Sequence, residues 1–199
     1  MFTGIYQSIV ILAVLVTFYL LDTFFITSND QRRSAEGSGR SWSYTASILL
    51  FMTVVITQPL ALPQIGFQSD STWALALQWI GLVVVIIALG LHVWSRVHLR
   101  HFYAERVELQ PRHQLIDSGP YAYIRHPVFT SFFLITAGLF LINPSLLMVL
   151  LCVYVAWDFS RAARAEEVLL SENLPGYAEY VQRTGRFLPT WKQLFRGNQ

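Results

Sequence analysis

The sequence predicts an all-α integral membrane protein, a single membrane domain over residues 1–199 with five transmembrane helices. Of its residues, 54% are hydrophobic and only 13% are charged, whereas soluble domains carry roughly a quarter charged residues. Uncharged runs recur along the chain, each near the roughly 20 residues that cross a bilayer core as a helix. This composition excludes a disordered chain and a basic protein that binds nucleic acid.

The first three spans lie within residues 1–94 and form the predicted scaffold. The first span begins in the uncharged run Gly4–Leu21. A secretory signal peptide is the alternative, but no Lys or Arg precedes the run and no small-residue cleavage site follows it. The second span lies between Tyr44 and Leu62. The third runs from Trp73 to Trp94, with tryptophans where an aromatic belt anchors helix ends.

The last two spans are predicted to form a helical hairpin. Residues Pro127–Trp157 carry no charge and would make a straight helix of about 46 Å. That length is too great for one crossing of a core roughly 30 Å thick. Asn143-Pro144-Ser145 is a turn-forming tripeptide near the middle of the run. We therefore expect two antiparallel helices, the second continuing past Asp158 into water.

The cationic residues predict the orientation. All 14 Lys and Arg fall in residues 32–40, 96–125 and 161–196, and five spans place these three segments on one side. By the positive-inside rule that side is cytoplasmic, so the N-terminus is expected outside and the C-terminus in the cytoplasm. A single crossing in place of the hairpin would move the six cations of the tail outside.

Residues 95–199 form the predicted catalytic half, because their two polar segments hold four of the five histidines and eleven of the fourteen Lys and Arg. Pro127 suits the first turn of a helix, which places Arg125 and His126 at the membrane interface. These two are either interfacial anchors or part of a site. The helix N-terminus would attract an anionic group, and the rings of Tyr121, Tyr123 and Phe129 would suit a ligand cation or an adenine.

The tail begins as a charged helix after Asp158. Helical spacing places Arg161, Arg164 and Glu167 on one face, with Glu166 on a neighbouring face. This pattern is typical either of a solvated helix end or of a site for a carboxylate or cationic group.

Read together, several motifs resemble the isoprenylcysteine carboxyl methyltransferase family of integral membrane enzymes. They are His113-x-Leu-Ile-x-x-Gly-Pro-Tyr-x-x-x-Arg-His-Pro-x-Phe, the Asn143-Pro144 turn, Glu166-Glu167, Tyr177-x-x-Tyr180 and Arg186-Phe-Leu-Pro189. The resemblance covers about residues 99–189. It implies that S-adenosylmethionine donates a methyl group to a carboxylate on a lipid-like or prenylated acceptor reached from the membrane. It also implies that the cofactor is held by His113, Gln114, Leu115, Ile116, Tyr121, His126, Pro127, Val128, Phe129 and Glu166.

The chain departs from the family pattern at two informative positions. Phe129 stands where the family usually has Tyr, which removes a hydroxyl. The family arginine that grips the acceptor carboxylate falls on Ala162, so Arg161 or Arg164 is expected to take its place as a catalytic residue.

Several alternatives remain at this level. A related phospholipid N-methyltransferase would need a base, such as His126 or Glu167, to take the proton of an amine acceptor. Sterol reductases are similar in this half of the sequence but bind NADPH and usually have many more spans. A non-catalytic membrane protein of the same fold is a third possibility. His98, His101 and Glu105 have the spacing of metal ligands on a helix, but no metal site is predicted. The acceptor and the oligomeric state are left open.

Overall fold

The computed structural model describes residues 3–29, 42–63, 72–99 and 115–190. Within these ranges the chain is helical, with a 3₁₀ turn at Gly119–Ala122 and an isolated backbone bridge between Ile124 and Gly185. The α-helices are α1 (Ile5–Asn29), α2 (Trp42–Ala61), α3 (Thr72–Leu99), α4 (Pro127–Ile142), α5 (Leu146–Asn173) and α6 (Tyr177–Arg183).

Three of these helices are long and apolar enough to cross a membrane: α1 over Ile5–Phe25, α3 and α5. Helix α4 and the Met52–Ala61 part of α2 are apolar but shorter. Large apolar side chains such as Ile86 and Ile87 are exposed on α3, as expected for helices that face lipid. The chain is an integral membrane protein, and the count of five crossings stays a prediction.

The chain divides into two compact units. The first contains residues 1–86 and 135–153, and the second contains residues 87–134 and 154–199. Helices α3, α4 and α5 each contribute residues to both units. Every predicted site residue that the structure describes lies in the second unit.

In the first unit, buried amides hold the turn between α4 and α5. The Nε2 atoms of Gln7 and Gln78 donate to the carbonyl of Ile142 at 3.1 and 3.2 Å, and Asn143 Nδ2 donates to Gln58 Oε1 at 2.6 Å. The last carbonyls of a helix have no partner within it, and an unsatisfied carbonyl is costly in a membrane. Helix α4 ends at Ile142 and α5 begins after the next three residues, which confirms the predicted break.

Two glycines in the first unit let α3 and α4 touch along their backbones. A Cβ on Gly81 would lie 2.6 Å from the carbonyl oxygen of Gly138, and one on Gly138 would lie 2.6 Å from Val85 Cγ2. Neither position has room for a side chain. This contact fixes the first-unit part of α4 against α3.

In the second unit, an aromatic stack joins the beginning of α4 to the middle of α5. Phe159 stacks on Phe129 and Phe132 with ring centroids 4.9 and 4.7 Å apart. Phe187, after α6, meets the edge of Phe133 at 5.0 Å. These rings form an apolar layer beneath the residues that begin α4, and those residues build the site.

Candidate active site

A short parallel pairing of backbone segments places three cationic side chains side by side. The amides of Arg125 and His126 donate to the carbonyls of Gly185 and Arg186 at 2.8 and 3.1 Å, and Gly185 N donates to Tyr123 O at 3.2 Å. A Cβ on Gly185 would lie 1.7 Å from the carbonyl oxygen of Leu188, so only glycine fits this bend. The segment after α6 is thereby held against the start of α4.

Glu167, in the charged part of α5, is the centre of the resulting cluster. Arg125 Nε donates to Oε1 at 2.9 Å, and His126 Nε2 lies 3.2 Å from the same oxygen. Arg186 donates through Nε at 3.1 and 3.0 Å and through Nη2 at 2.5 Å, which makes a bidentate pair. The Glu167 side chain is 12% exposed. One carboxylate therefore receives donors from three cationic residues.

These donors fix the charge of Glu167. Burial alone would raise the pKa of its carboxyl group. The hydrogen bonds from His126, Arg186 and Arg125 outweigh burial and hold that pKa well below its ordinary value. Glu167 is therefore ionised throughout the neutral range.

His126 lies between two carboxylates. Its Nδ1 lies 3.4 Å from Glu166 Oε2, and its Nε2 lies 3.2 Å from Glu167 Oε1. A carboxylate opposite each ring nitrogen favours the imidazolium, the form in which both nitrogens donate. Burial lowers the pKa of His126, but the bonds and charges of Glu166 and Glu167 outweigh burial and raise it above 6.5.

The 3₁₀ turn carries Tyr121 into the same region. Gly119 begins the turn with a φ of +59°, and a Cβ there would lie 2.3 Å from His98 Cδ2, so glycine is required twice over. Tyr180 of α6 donates its hydroxyl to the carbonyl of Tyr121 at 2.8 Å. Tyr121 itself is buried.

The structure describes eight of the ten predicted cofactor residues, and it brings Glu166 and Phe129 into contact with His126. Tyr121, His126, Pro127 and Val128 are buried in consecutive turns, and Leu115, Ile116 and Phe129 are half-buried. Glu166 keeps its carboxylate 38% exposed beside His126. His113 and Gln114 lie outside the described residues.

Phe129 is placed differently from the expectation that its face would cover a ligand. Its ring stacks on His126 with an interplanar angle of 2°, and it also stacks on Phe159. The ring thus supports the imidazole, and its contact with the cofactor stays a prediction.

The structure does not bring Arg161 and Arg164 to the cluster. Ala163 is fully buried and Phe159 packs on α4, so that face of α5 points inward. Arg161 lies two residues from each of them, which is about 160° away around the helix. Its side chain is 70% exposed, pairs with Asp158 at 3.8 Å and lies over the Trp157 ring. Arg164 is exposed as well. Glu167 faces the cluster, whereas Arg161 and Arg164 are exposed, and the catalytic role expected of these arginines stays a prediction.

Sequence reasoning placed Arg125 at the membrane interface, as an anchor or part of a site, and gave no role to Arg186. Arg125 also donates through Nη1 to the carbonyls of Val181 and Thr184, which ties α4 to the end of α6. The only sequence signal for Arg186 was its place in the Arg-Phe-Leu-Pro motif.

The alternative metal site is only partly described, since His101 and Glu105 lie outside the described residues. His98 packs against Gly119, and its Nδ1 lies 2.9 Å from the carbonyl of Trp94. Across the described part of the chain, no group of three or more His, Cys, Asp or Glu could hold a metal ion.

Comparison with known proteins bears on this arrangement. The model of the isoprenylcysteine carboxyl methyltransferase (ICMT) family matches residues 79–172, which include His126, Glu166 and Glu167. Residues 79–172 belong to this family. The resemblance noted in the sequence motifs is thereby confirmed.

The fold of this chain is similar to that of a solved protein. The structure of the eukaryotic intramembrane Ras methyltransferase ICMT, solved without a monobody, matches 94% of this chain and 71% of that chain, with a TM-score of 0.67 and 23% identity. At this identity the likeness shows the fold alone.

Two curated relatives are named as metal-resistance proteins. The nickel-cobalt-cadmium resistance protein NccN of Alcaligenes xylosoxydans xylosoxydans is 29% identical over 124 residues, 61% of this chain and 54% of that protein. The cobalt-zinc-cadmium resistance protein CzcN of Cupriavidus metallidurans is 29% identical over 147 residues, 72% of this chain and 64% of that protein. The matches thus span between half and two thirds of these relatives.

Proposed function

We propose that this protein transfers a methyl group from S-adenosylmethionine to the carboxylate of a lipid-like acceptor in the membrane. The proposal combines membership of the ICMT family with one observation from the cluster. Both oxygens of Glu167 accept hydrogen bonds from cationic side chains, and both ring nitrogens of His126 face the carboxylates of Glu166 and Glu167. Both groups are thereby engaged, so neither is well placed to take a proton from an acceptor.

The engagement of Glu167 and His126 bears on the type of acceptor. An amine must lose a proton on methylation, so it needs a nearby base whose pKa is close to the working pH. A carboxylate is already ionised and needs only to be positioned in line with the methyl donor. The cluster therefore favours a carboxylate over the amine of a phospholipid headgroup.

The residues of the site suit the chemical groups of the proposed cofactor. S-adenosylmethionine supplies an activated methyl group on a sulfonium, and its methionine part carries an ammonium. Glu166 offers a carboxylate that is 38% exposed, which would hold a cationic group. Leu115 and Ile116, half-buried before the 3₁₀ turn, and Tyr121 within that turn are proposed to supply apolar and aromatic surface to the cofactor.

The acceptor is proposed to be a prenylated or other lipid acid that reaches the site from the bilayer. The site is proposed to face the cytoplasm, because the segments that build it carry most of the chain's cations.

A methyl-transfer assay with labelled S-adenosylmethionine tests the proposal. The full chain in lipid nanodiscs is supplied with N-acetyl-S-farnesylcysteine as the acid and phosphatidylethanolamine as the amine. We expect label in a base-labile ester and none in the amine lipid. Label in phosphatidylethanolamine would favour the amine alternative, and no label in either would contradict the proposal.

The names of the curated relatives concern resistance to metal ions. Nothing in the described residues specifically favours direct metal binding, so we propose methyl transfer without it. Titration of the purified chain with Ni²⁺, Co²⁺ and Cd²⁺ checks this choice, and we expect no saturable binding.

A further inference from the structure

We infer that Arg186 is the catalytic residue that binds the acceptor carboxylate. The inference rests on the proposed function and assigns its substrate-binding cation. It depends on the charge balance of the cluster around Glu167, on the exposure of its members and on the donors that each member has already used.

The charge balance of the cluster calls for one more anion. Arg125 and Arg186 both bind the single carboxylate of Glu167, whereas Glu166 faces His126. Two permanently charged guanidinium groups thus share one carboxylate. An acceptor that carries a carboxylate would balance the second guanidinium.

Arg186 is the member of the cluster that can receive this anion. Arg125 is 9% exposed, and its Nε and Nη1 are engaged. Both nitrogens of His126 face Glu166 and Glu167. The Arg186 side chain is 40% exposed. Its bonds to Glu167 use Nε and Nη2, and its Nη1 has no hydrogen-bond partner among residues 115–190.

Glu167 acts as the positioning residue for this arginine. A guanidinium has five N–H donors in a planar fork, and a bidentate carboxylate on one side fixes the plane of that fork. The remaining donors of Arg186 then point in a defined direction. The exposed Arg161 lacks such a support, because its carboxylate neighbour Asp158 lies 3.8 Å away at the helix surface.

The test compares binding of a carboxylate and its neutral isostere. The probes are N-acetyl-S-farnesylcysteine and the corresponding carboxamide, titrated into the full chain in nanodiscs. Wild type is expected to prefer the acid. In Arg186→Gln we expect acid affinity to fall about 10- to 100-fold, the range for loss of a charged hydrogen bond, while carboxamide affinity stays the same. Arg183→Gln removes a nearby exposed arginine of α6 and serves as the matched control, with wild-type preference expected. Arg161→Gln tests the rival assignment in the same titration.

The affinity for S-adenosylmethionine shows whether the substitution affects acceptor binding alone or disrupts the whole site. S-adenosylmethionine is expected to bind Arg186→Gln as it binds wild type. Arg186→Lys keeps the charge but not the fork, and we expect an acid-to-carboxamide preference between those of wild type and Arg186→Gln. If Arg186→Gln does not fold, the acid-to-carboxamide preference of Arg186→Lys is the measurement that tests the inference. An unchanged preference in the variant that folds, or a loss of preference in Arg161→Gln instead, would overturn the inference. Failure of the proposed function has a different signature, because wild type would then transfer no methyl group to the acid.

Discussion

His126 makes the stability of the second unit depend on pH. Its pKa in the folded chain is raised above 6.5, so its charge stabilises the fold in full below about pH 6.5, and this contribution is lost as the pH rises through the raised value. The pKa of Glu167 is lowered from 4.5, so its contribution is present above about pH 4.5 and is lost only as the pH falls toward the lowered value. The cluster therefore stabilises most between these limits.

We expect the unfolding temperature of wild type in detergent to fall when the pH is raised from about 6 to about 9, because the stabilising charge of His126 is lost as the pH rises through its raised pKa. His126→Gln cannot lose a proton, so its decline is expected to be smaller. Thermal unfolding followed by circular dichroism at the two pH values measures the difference. An equal decline in both proteins would show that His126 does not titrate there.

Substitution of Gly119 tests whether the 3₁₀ turn that carries Tyr121 requires glycine. Gly119→Ala would place a side chain at a positive φ and against the His98 ring, and the backbone term alone costs about 1–3 kcal/mol. We expect a lower unfolding temperature and weaker binding of S-adenosylmethionine. Gly90→Ala on α3 is the matched control, because a Cβ there meets nothing within 4 Å. Similar unfolding temperatures for the two variants would contradict this account of the turn.

At the scale of the elements, local sequence chemistry was enough to place most boundaries. Pro127 begins α4, and Asn143-Pro144-Ser145 separates α4 from α5, as the turn propensity of these residues predicts. The pairings that hold the elements together could not be predicted in this way. Arg125 and Glu167 are 42 residues apart, and Tyr180 meets Tyr121 across 59.

The site was accordingly predictable only in part. The resemblance to the family pointed to His126 and Glu166, and because the family arginine falls on Ala162 it suggested Arg161 or Arg164. Helical spacing put these arginines with Glu167, but it treats a helix as isolated. The buried face of α5 is decided by Phe159 and Ala163, which pack against other elements.

The glutamines around the hairpin turn provide a test at the element scale. Gln7 and Gln78 donate to the same carbonyl, that of Ile142. Gln7→Leu or Gln78→Leu alone leaves one donor in place and is expected to cost about 1 kcal/mol. The double variant leaves the carbonyl without these donors, so its cost should exceed the sum of the single costs. A double-variant cycle of unfolding free energies in detergent measures the excess, and strict additivity would contradict a shared role.

At the scale of the whole molecule, the distribution of charge and the hairpin make one joint prediction. In the predicted five-span topology all fourteen Lys and Arg flank the spans on one side, whereas the segment between α2 and α3 contains only Asp70 as a charged residue. Thr136 bonds Cys152 in the first unit, and Phe129 stacks on Phe159 in the second, and each contact is one that a hairpin of α4 and α5 would make. The predicted hairpin would return the tail after α5 to the side of the segment before α4.

Cysteine labelling in intact cells tests this topology. Cys152→Ser removes the single native thiol, after which Asp70→Cys and Glu172→Cys each add one reporter. Because the positive-inside rule places the cationic segments in the cytoplasm, a membrane-impermeant maleimide is expected to label the cysteine at position 70 in intact cells. The cysteine at position 172, exposed at the end of α5, should be labelled only after the cells are permeabilised. Labelling of position 172 from outside would contradict the predicted orientation. Labelling of both positions from outside would mean an even number of crossings between them, and this would contradict the predicted hairpin as well.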